Sequence, residues 1–272
     1  MKDALIISAL SLVPKSSTSR LLGGLNRISW PRWLHRLVVR TYASHYGADL
    51  SECVGCIDDY ASLGEFFVRP LKPGIRPVDD AADVMVSPVD GRVYAVGHAP
   101  DGRVPQSEGK SFSSGELLGE ATDKPCDYAV IYLSPKDYHR IHVPREGRVT
   151  RMRYLPGFFW PVFPAATRKI PELFSRNERM VSFFESPGLP YALGMIGAFG
   201  VGRMRVVYHE ALSNAGLDGV DVAVDVPLAR AAELGRFEMG STVVLVLPPD
   251  SVRWTVAPGD VLRLGQRIAE IR

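Results

Sequence analysis

The sequence predicts an α+β protein with a β-rich antiparallel core, preceded by N-terminal amphipathic helices. Three observations carry this. The 272-residue chain holds 25 glycines and 21 prolines, punctuation that favours many turns and short strands over long helices. From Val84 onward, apolar residues gather in short β-branched runs bounded by turn signals. Before that point lies a basic stretch with apolar positions at helical spacing. With 46% apolar and 23% charged residues, the composition is that of a globular protein. It excludes a disordered chain, a coiled coil and a collagen-like fibre. A formal net charge of +2 gives no sign of nucleic-acid binding. Three cysteines cannot make a disulfide framework, which suits a reducing compartment.

The charge is unevenly placed. Within residues 1–40, Lys2, Lys15, Arg20, Arg27, Arg32, Arg36 and Arg40 face one acid, Asp3. Residues 4–14 are the most apolar run, at eleven residues. A spanning helix needs about 20, so no transmembrane segment is predicted. The run has only Lys2 beside Asp3 before it and no clear A-x-A site after it, so no cleaved signal is expected. Residues 20–40 interleave apolar and basic positions. Leu34, Leu37 and Val38 sit at helical spacing, while Arg32, Arg36 and Arg40 fall on another side. Trp30 and Trp33 have an apolar body and a polar edge, which suits a headgroup boundary. The segment reads as an in-plane amphipathic helix on an anionic membrane surface. The plainer reading is a helix packed on the body with a solvated arginine stripe. Residues 1–60 are expected to form this basic, membrane-associating region.

Residues 60–78 predict a short helix running into a Pro-punctuated connector. Residues 84–96 hold the turn signal Asp90-Gly91 between two β-rich runs. Residues 128–133 and 243–247 predict buried strands, the second stopped by Pro248-Pro249. No repeat or low-complexity linker interrupts the body, so 61–272 is expected to be one domain. Residues 256–272 pair two turn signals, Pro258-Gly259-Asp260 and Leu264-Gly265-Gln266, with short apolar strands. This rhythm resembles the barrel-sandwich pattern of lipoyl- and biotinyl-type domains, without a lysine at a hairpin tip to carry such a cofactor.

Three local motifs hold residue types that do chemistry. The first is Ser87-Pro88-Val89-Asp90-Gly91, where a carboxylate at a tight turn often caps its own backbone. The second is Tyr138-His139-Arg140-Ile141-His142-Val143-Pro144, bracketed by Pro135 and Pro144. It reads as strand or loop, where positions i and i+3 point to opposite faces. That disfavours a metal pair, and no metal is expected. Histidine suits proton transfer near neutral pH. Two so close suggest separate proton-transfer jobs, or one job and one structural hydrogen bond. The third is Glu238-Met239-Gly240-Ser241-Thr242, immediately before a buried strand. It is either an ordinary turn or a nucleophilic serine served by a base and an orienting carboxylate. A Ser–His–Asp set works in many chain orders.

Five stretches together carry a resemblance. They are Phe66-Phe67-Val68-Arg69-Pro70-Leu71, the Ser87 motif, residues 134–144, Leu173-Phe174-Ser175-Arg176-Asn177-Glu178-Arg179, and Gly235-Arg236-Phe237-Glu238-Met239-Gly240-Ser241-Thr242. In this order, nearly end to end, the chain resembles the bacterial-type phosphatidylserine decarboxylases, which are self-processing pyruvoyl enzymes. One departure is Met239, where the family usually has leucine. That swap is near-isosteric and leaves Gly-Ser-Thr intact.

The resemblance implies a reaction and its residues. Ser241 would attack the carbonyl of Gly240. His142 would take the Ser241 proton, and Asp90 would fix the His142 tautomer and stabilise the imidazolium. β-Elimination and hydrolysis would then leave residues 1–240, and 241–272 starting with pyruvoyl. That pyruvoyl, with no PLP and no metal, would take the amine of phosphatidylserine as a Schiff base. Loss of CO2 yields phosphatidylethanolamine, with His139 the implied proton donor to the α-carbon; the two histidines could also exchange or share roles. The pieces would form a heterodimer that could pair with a second copy, peripheral on the cytoplasmic face of the cell membrane. Residues 158–163 would be a lipid-facing lid or ordinary core. Arg176 and Arg179 would pair with the substrate phosphate or with structural acids. Cys53 and Cys56 form a lone CxxC, read as two unconnected thiols, and Cys126 is expected to be buried. Competing readings are a non-catalytic membrane-binding protein, an intermolecular serine hydrolase using Ser241 but lacking a G-x-S-x-G elbow, and a decarboxylase of soluble amino compounds.

Overall fold

The computed structural model describes residues 18, 23–199, 203–214, 218–238 and 242–272. The apolar run 4–14 and the tripeptide Met239-Gly240-Ser241 lie outside the described residues.

Five helices are α1 (Arg32–Tyr46), α2 (Leu63–Phe67), α3 (Ser114–Leu118), α4 (Pro164–Lys169) and α5 (Leu173–Arg176). The first strands are β1 (Val84–Val86), β2 (Gly91–Ala99), β3 (Arg103–Ser107), β4 (Lys110–Ser113), β5 (Cys126–Tyr132) and β6 (Arg140–His142). Next come β7 (Gly147–Leu155), β8 (Arg179–Glu185), β9 (Tyr191–Ile196), β10 (Met204–Val206), β11 (His209–Leu212) and β12 (Val220–Leu228). The last are β13 (Glu233–Phe237), β14 (Thr242–Leu247), β15 (Val252–Trp254), β16 (Val261–Leu262) and β17 (Arg267–Ile271).

An eight-stranded antiparallel sheet, in the order β12-β7-β8-β9-β14-β5-β2-β16, forms the core. Its inner strand β14 is Thr-Val-Val-Leu-Val-Leu, buried at every position. A continuous apolar run of this kind needs cover on both faces. The edge strand β12 alternates half-buried and exposed residues, and Pro227 is tolerated there because an edge leaves N–H positions unpaired. A four-stranded sheet, β11-β10-β13-β6, packs against the main one. At Gly235 of β13 a Cβ would sit 3.3 Å from Met195 Sδ on β9 of the main sheet, and 2.3 Å from the Arg205 carbonyl oxygen on the neighbouring strand β10. A third sheet joins β1, β17 and β15.

The α+β class and the buried strands near 128–133 and 243–247 are as the sequence predicts. Among the described residues the sheets are not closed. β16 is an edge of the main sheet, while β15 and β17 pair with each other and with β1. The Asp90-Gly91 turn does not close a hairpin either, since β1 pairs with β17 and β2 with β5 and β16.

Helix α1 starts after Pro31 and ends at Gly47, which adopts φ 79° and donates its N–H to the Ala43 carbonyl at 2.8 Å. Its buried face is His35, Val39 and Ala43, one residue out of phase with the Leu34, Leu37 and Val38 stripe. His35 Nε2 reaches the Ile57 carbonyl at 3.1 Å, and Val39 packs with Cys53, Tyr60 and Phe66. Trp33 and Leu37 remain 69% and 58% exposed beside Arg36, which pairs with Asp58. Among the described residues no helix is long and apolar enough to cross a membrane. Cys53 and Cys126 are buried free thiols, and Cys56 is exposed.

Candidate active site

The Ser87–Asp90 turn is fixed from three sides. Ser87 Oγ donates to the Val89 carbonyl at 2.7 Å. The Ser87 N–H donates to the Gln266 carbonyl, and the Gly265 N–H returns a bond to the Ser87 carbonyl. Gly265 holds φ 84°, and a Cβ there would lie 2.7 Å from the Pro77 carbonyl oxygen, so the close docking of this loop requires glycine. The third tie is the His142 N–H to the Pro88 carbonyl at 2.8 Å, which sets β6 against the turn.

Asp90 does not cap its own backbone. Its carboxylate accepts the Leu264 N–H at 2.8 Å and the forked guanidinium of Arg76, with Nε to Oδ1 at 2.9 Å. Arg76 is itself buried and shared with Glu52, Nη2 to Oε2 at 2.6 Å, while Arg263 closes the cluster on Glu52 at 2.7 Å. The two acids raise the Arg76 pKa against the opposing effect of burial. Sequence reasoning missed Arg76 and Glu52. The one available signal was an arginine inside the Pro-punctuated connector, where a flexible charge would have no reason to sit.

Tyr138 lines a cavity with Arg76 and Asp90, and its hydroxyl meets the His142 ring. His142 Nδ1 is 2.7 Å from the Ala231 carbonyl, which can only accept, so Nδ1 carries the proton. Nε2 is then the basic nitrogen and accepts from the Tyr138 hydroxyl at 3.1 Å. The tautomer is thus set by Ala231, not by Asp90 as the resemblance implied. Asp90 acts on this imidazole through charge. Burial lowers the His142 pKa, and the Ala231 carbonyl and the charges of Glu233 and Asp90 oppose it. Burial pushes the Tyr138 hydroxyl up to about 12, so it stays a donor.

His139 is fully buried. Its ring lies against Phe67 with centroids 3.9 Å apart, and its Nδ1–H donates to the Asp137 carbonyl at 2.8 Å. Its Nε2 is buried without a partner. Burial lowers its pKa to about 3, so it is neutral at physiological pH. In this form Nε2 accepts a proton before it can donate one. The His142 ring meets Ala231 and Tyr138, whereas the His139 ring lies on Phe67.

The third motif enters the site through Thr242. It opens β14 opposite both Tyr132 and Ile196, and its Oγ1 is a second buried atom with no partner among the described residues. Gly240 and Ser241, bonded on its N-terminal side, lie outside the described residues. Buried polar atoms are nearly always paired, so two orphans in this site mark a place built for a further polar group. Tyr132 and Phe67 also line an apolar cavity of about 220 Å³ with Tyr42, Leu133, Val162 and Phe163. In the 158–163 segment Phe159 and Val162 are core, while Phe158 is 51% exposed. Arg179 is buried and spends its donors on the carbonyls of Glu116, Leu117 and Asn177. Arg176 lies over the Phe158 ring at 5.2 Å.

The buried neutral histidines make stability depend on pH. Unfolded, each titrates near 6.5. Above that pH both states hold neutral histidine. Below it the unfolded chain binds protons that the native chain refuses, so stability falls as pH drops from about 6.5 toward 3. The slope is about 1.4 kcal/mol per pH unit for His139 alone. Urea unfolding of Ser241→Ala protein between pH 7 and 5 is expected to lose about one proton's worth of slope on adding His139→Phe. An unchanged slope would mean that His139 is not held neutral.

An aspartate turn bound by arginine, two buried histidines and the start of an inner strand, carried on antiparallel sheets, are groups that an α+β enzyme could use to move protons. The chain belongs to the phosphatidylserine decarboxylase family, whose model matches residues 63–270. It is 42% identical over 277 residues to the phosphatidylserine decarboxylase proenzyme of Anaeromyxobacter sp., covering 98% of each chain. It is 39% identical over 279 residues to that of Myxococcus xanthus, covering the whole of both. With that of Shewanella amazonensis it shares 36% identity over 285 residues, 99% of each.

Proposed function

We propose that this chain is a proenzyme that splits itself between Gly240 and Ser241 and then decarboxylates phosphatidylserine to phosphatidylethanolamine. The observation that carries the reading is the matched state of the two histidines. Each ties Nδ1–H to a backbone carbonyl, Asp137 or Ala231, which leaves Nε2 as the basic atom. His142 takes the Ser241 proton, and Asp90, paired with Arg76, favours the imidazolium by its field. A pyruvoyl group made from Ser241 supplies a carbonyl that takes the substrate's amine and accepts the electron pair left by CO2. The orphaned Thr242 Oγ1 and His139 Nε2 fit a polar group at position 241. His139 Nε2 takes a proton from the substrate's ammonium and returns it to the α-carbon; the released amine regains its own from water. An anionic substrate makes that possible by opposing the burial that lowers the His139 pKa.

The fold supports a lasting heterodimer. Residues 241–272 would supply inner strand β14 and all of β15, β16 and β17, so the pieces stay interlocked after the cut. Residues 1–60 form the membrane-associating region and 61–272 the catalytic domain. Exposed Leu25, Ile28, Trp30, Trp33 and Leu37 stand beside exposed Arg32, Arg36 and Arg40. Each such cation contributes about 1 kcal/mol near an anionic surface. This favours peripheral binding at the cytoplasmic face of the cell membrane.

The denatured mass spectrum, beside a Ser241→Ala control, tests this. Two pieces split at Gly240-Ser241, the smaller beginning with pyruvoyl, are expected. One 29.9 kDa species that persists with phosphatidylserine vesicles would overturn the reading in favour of a binding protein. An intact chain that hydrolyses esters would favour a serine hydrolase.

A further inference from the structure

The outer face of the small sheet carries a row of arginines. Arg205 of β10 stands opposite Arg236 of β13, and Arg236 opposite Arg140 of β6. Like charges directly opposed across strands repel, so each needs a neutralising partner. Arg140 meets Glu233 at 2.8 Å and donates from Nε to the Val68 carbonyl. Arg205 meets Glu238 at 3.1 Å, and the other Glu238 oxygen faces Arg27 at 3.9 Å. Arg236, in the middle, has no hydrogen bond or ion pair among the described residues. It lines a cavity of about 250 Å³ with Asn26, Arg27, Glu65 and Glu238. Both carboxylates in that wall are already engaged, Glu238 by the arginines and Glu65 by the Ala61 N–H at 2.8 Å.

We propose that this cavity is the subsite for the phosphodiester of the lipid headgroup, with Arg236 as its principal cation and Arg27 as its second. The assignment rests on the phosphatidylserine reading above. A guanidinium presents two parallel N–H donors that match two phosphate oxygens. An arginine with no partner among the described residues, sharing a concave wall with Arg27, is suited to take such an anion. Arg176 and Arg179, the candidates at the level of sequence, are committed to Phe158 and to backbone carbonyls. A lipid is favoured over free phosphate by the rim. The wall at Gly23, Asn26 and Arg27 continues into exposed Leu25, Ile28 and Trp30. A phosphate seated on Arg236 therefore has its acyl chains beside apolar surface.

Calorimetric titration of glycerophosphoserine into the Ser241→Ala proenzyme reads the subsite without requiring cleavage. Arg236→Met is expected to weaken binding more than tenfold, Arg236→Lys less, and Arg27→Gln three- to tenfold. In processed enzyme, Arg236→Met is expected to raise KM for phosphatidylserine in mixed micelles more than tenfold, with a smaller fall in kcat. Unchanged affinity in Arg236→Met, or no binding by the proenzyme, would overturn the subsite. Inorganic phosphate binding as tightly as the diester would overturn the headgroup assignment. Should Arg236→Met fail to fold, the half-exposed Arg27 carries the test, and unchanged affinity in Arg27→Gln then overturns the proposal. Wild-type protein that cuts itself and turns over, with binding indifferent to Arg236, sinks the subsite alone. Wild-type protein that remains one chain sinks the decarboxylase reading instead.

Discussion

Replacing His142 by alanine is expected to leave the chain uncut, whereas His139→Ala is expected to cut itself and then fail to turn over. The two substitutions remove similar side chains three residues apart, so the contrast isolates position. His142 stands where the Ser87–Asp90 turn meets β6, with its proton fixed on Nδ1 by Ala231 and Nε2 turned to the Tyr138 hydroxyl. Losing it removes the base for Ser241. His139 is packed on Phe67 with Nε2 unpartnered. Losing it removes the group that hands a proton to carbon. General acid–base groups contribute about 10²–10⁴-fold, so CO2 release by cleaved His139→Ala should fall by about that factor. Mass spectrometry scores the cut, and CO2 release from phosphatidylserine micelles scores turnover. Full turnover by His139→Ala, or normal cutting by His142→Ala, would require the roles to be reassigned.

Arg76→Met should be among the most destabilising substitutions in the protein. The Arg76 side chain is 6% exposed and lies between Glu52 and Asp90, the latter 9% exposed. Removing it leaves two carboxylates facing each other with little water. Breaking a buried pair from one side costs about 3–5 kcal/mol. Removing the second charge as well should recover part of that loss, because an unpaired buried charge costs more than a pair replaced on both sides. Urea unfolding in the Ser241→Ala background should therefore rank Arg76→Met below the double variant Arg76→Met/Asp90→Asn. The opposite order would show that Asp90 is well solvated without Arg76. Self-cutting should slow in Arg76→Met, since the Asp90 carboxylate loses the guanidinium that holds it in place.

Much of this was legible residue by residue. Val243, Val244, Leu245, Val246 and Leu247 could only be a strand covered on both faces, because a β-branched run has no polar side to show water. The bracketing prolines made 138–144 extended, and that separated the two histidines onto different jobs. The arginine stripe on the open side of α1 also follows from local spacing. The phase of that helix did not. The register slipped by one residue because His35 found the Ile57 carbonyl 22 positions away, and no periodicity in residues 20–40 reports that acceptor.

By itself the sequence determined which segments are strands, which residue types could move protons, and the order of five motifs that place the chain in its family. Local side-chain patterns set those properties, and neighbouring residues carry them. Only the tertiary structure decided who meets whom. It gave Asp90 to Arg76 and Glu52, gave the His142 tautomer to Ala231, 89 residues away, and paired β1 with β17 instead of β2. It also set Arg140, Arg205 and Arg236 abreast with one of them unpaired. Those outcomes depend on which distant strands close against each other. Loop closure depends only weakly on length, so no local spacing encodes it.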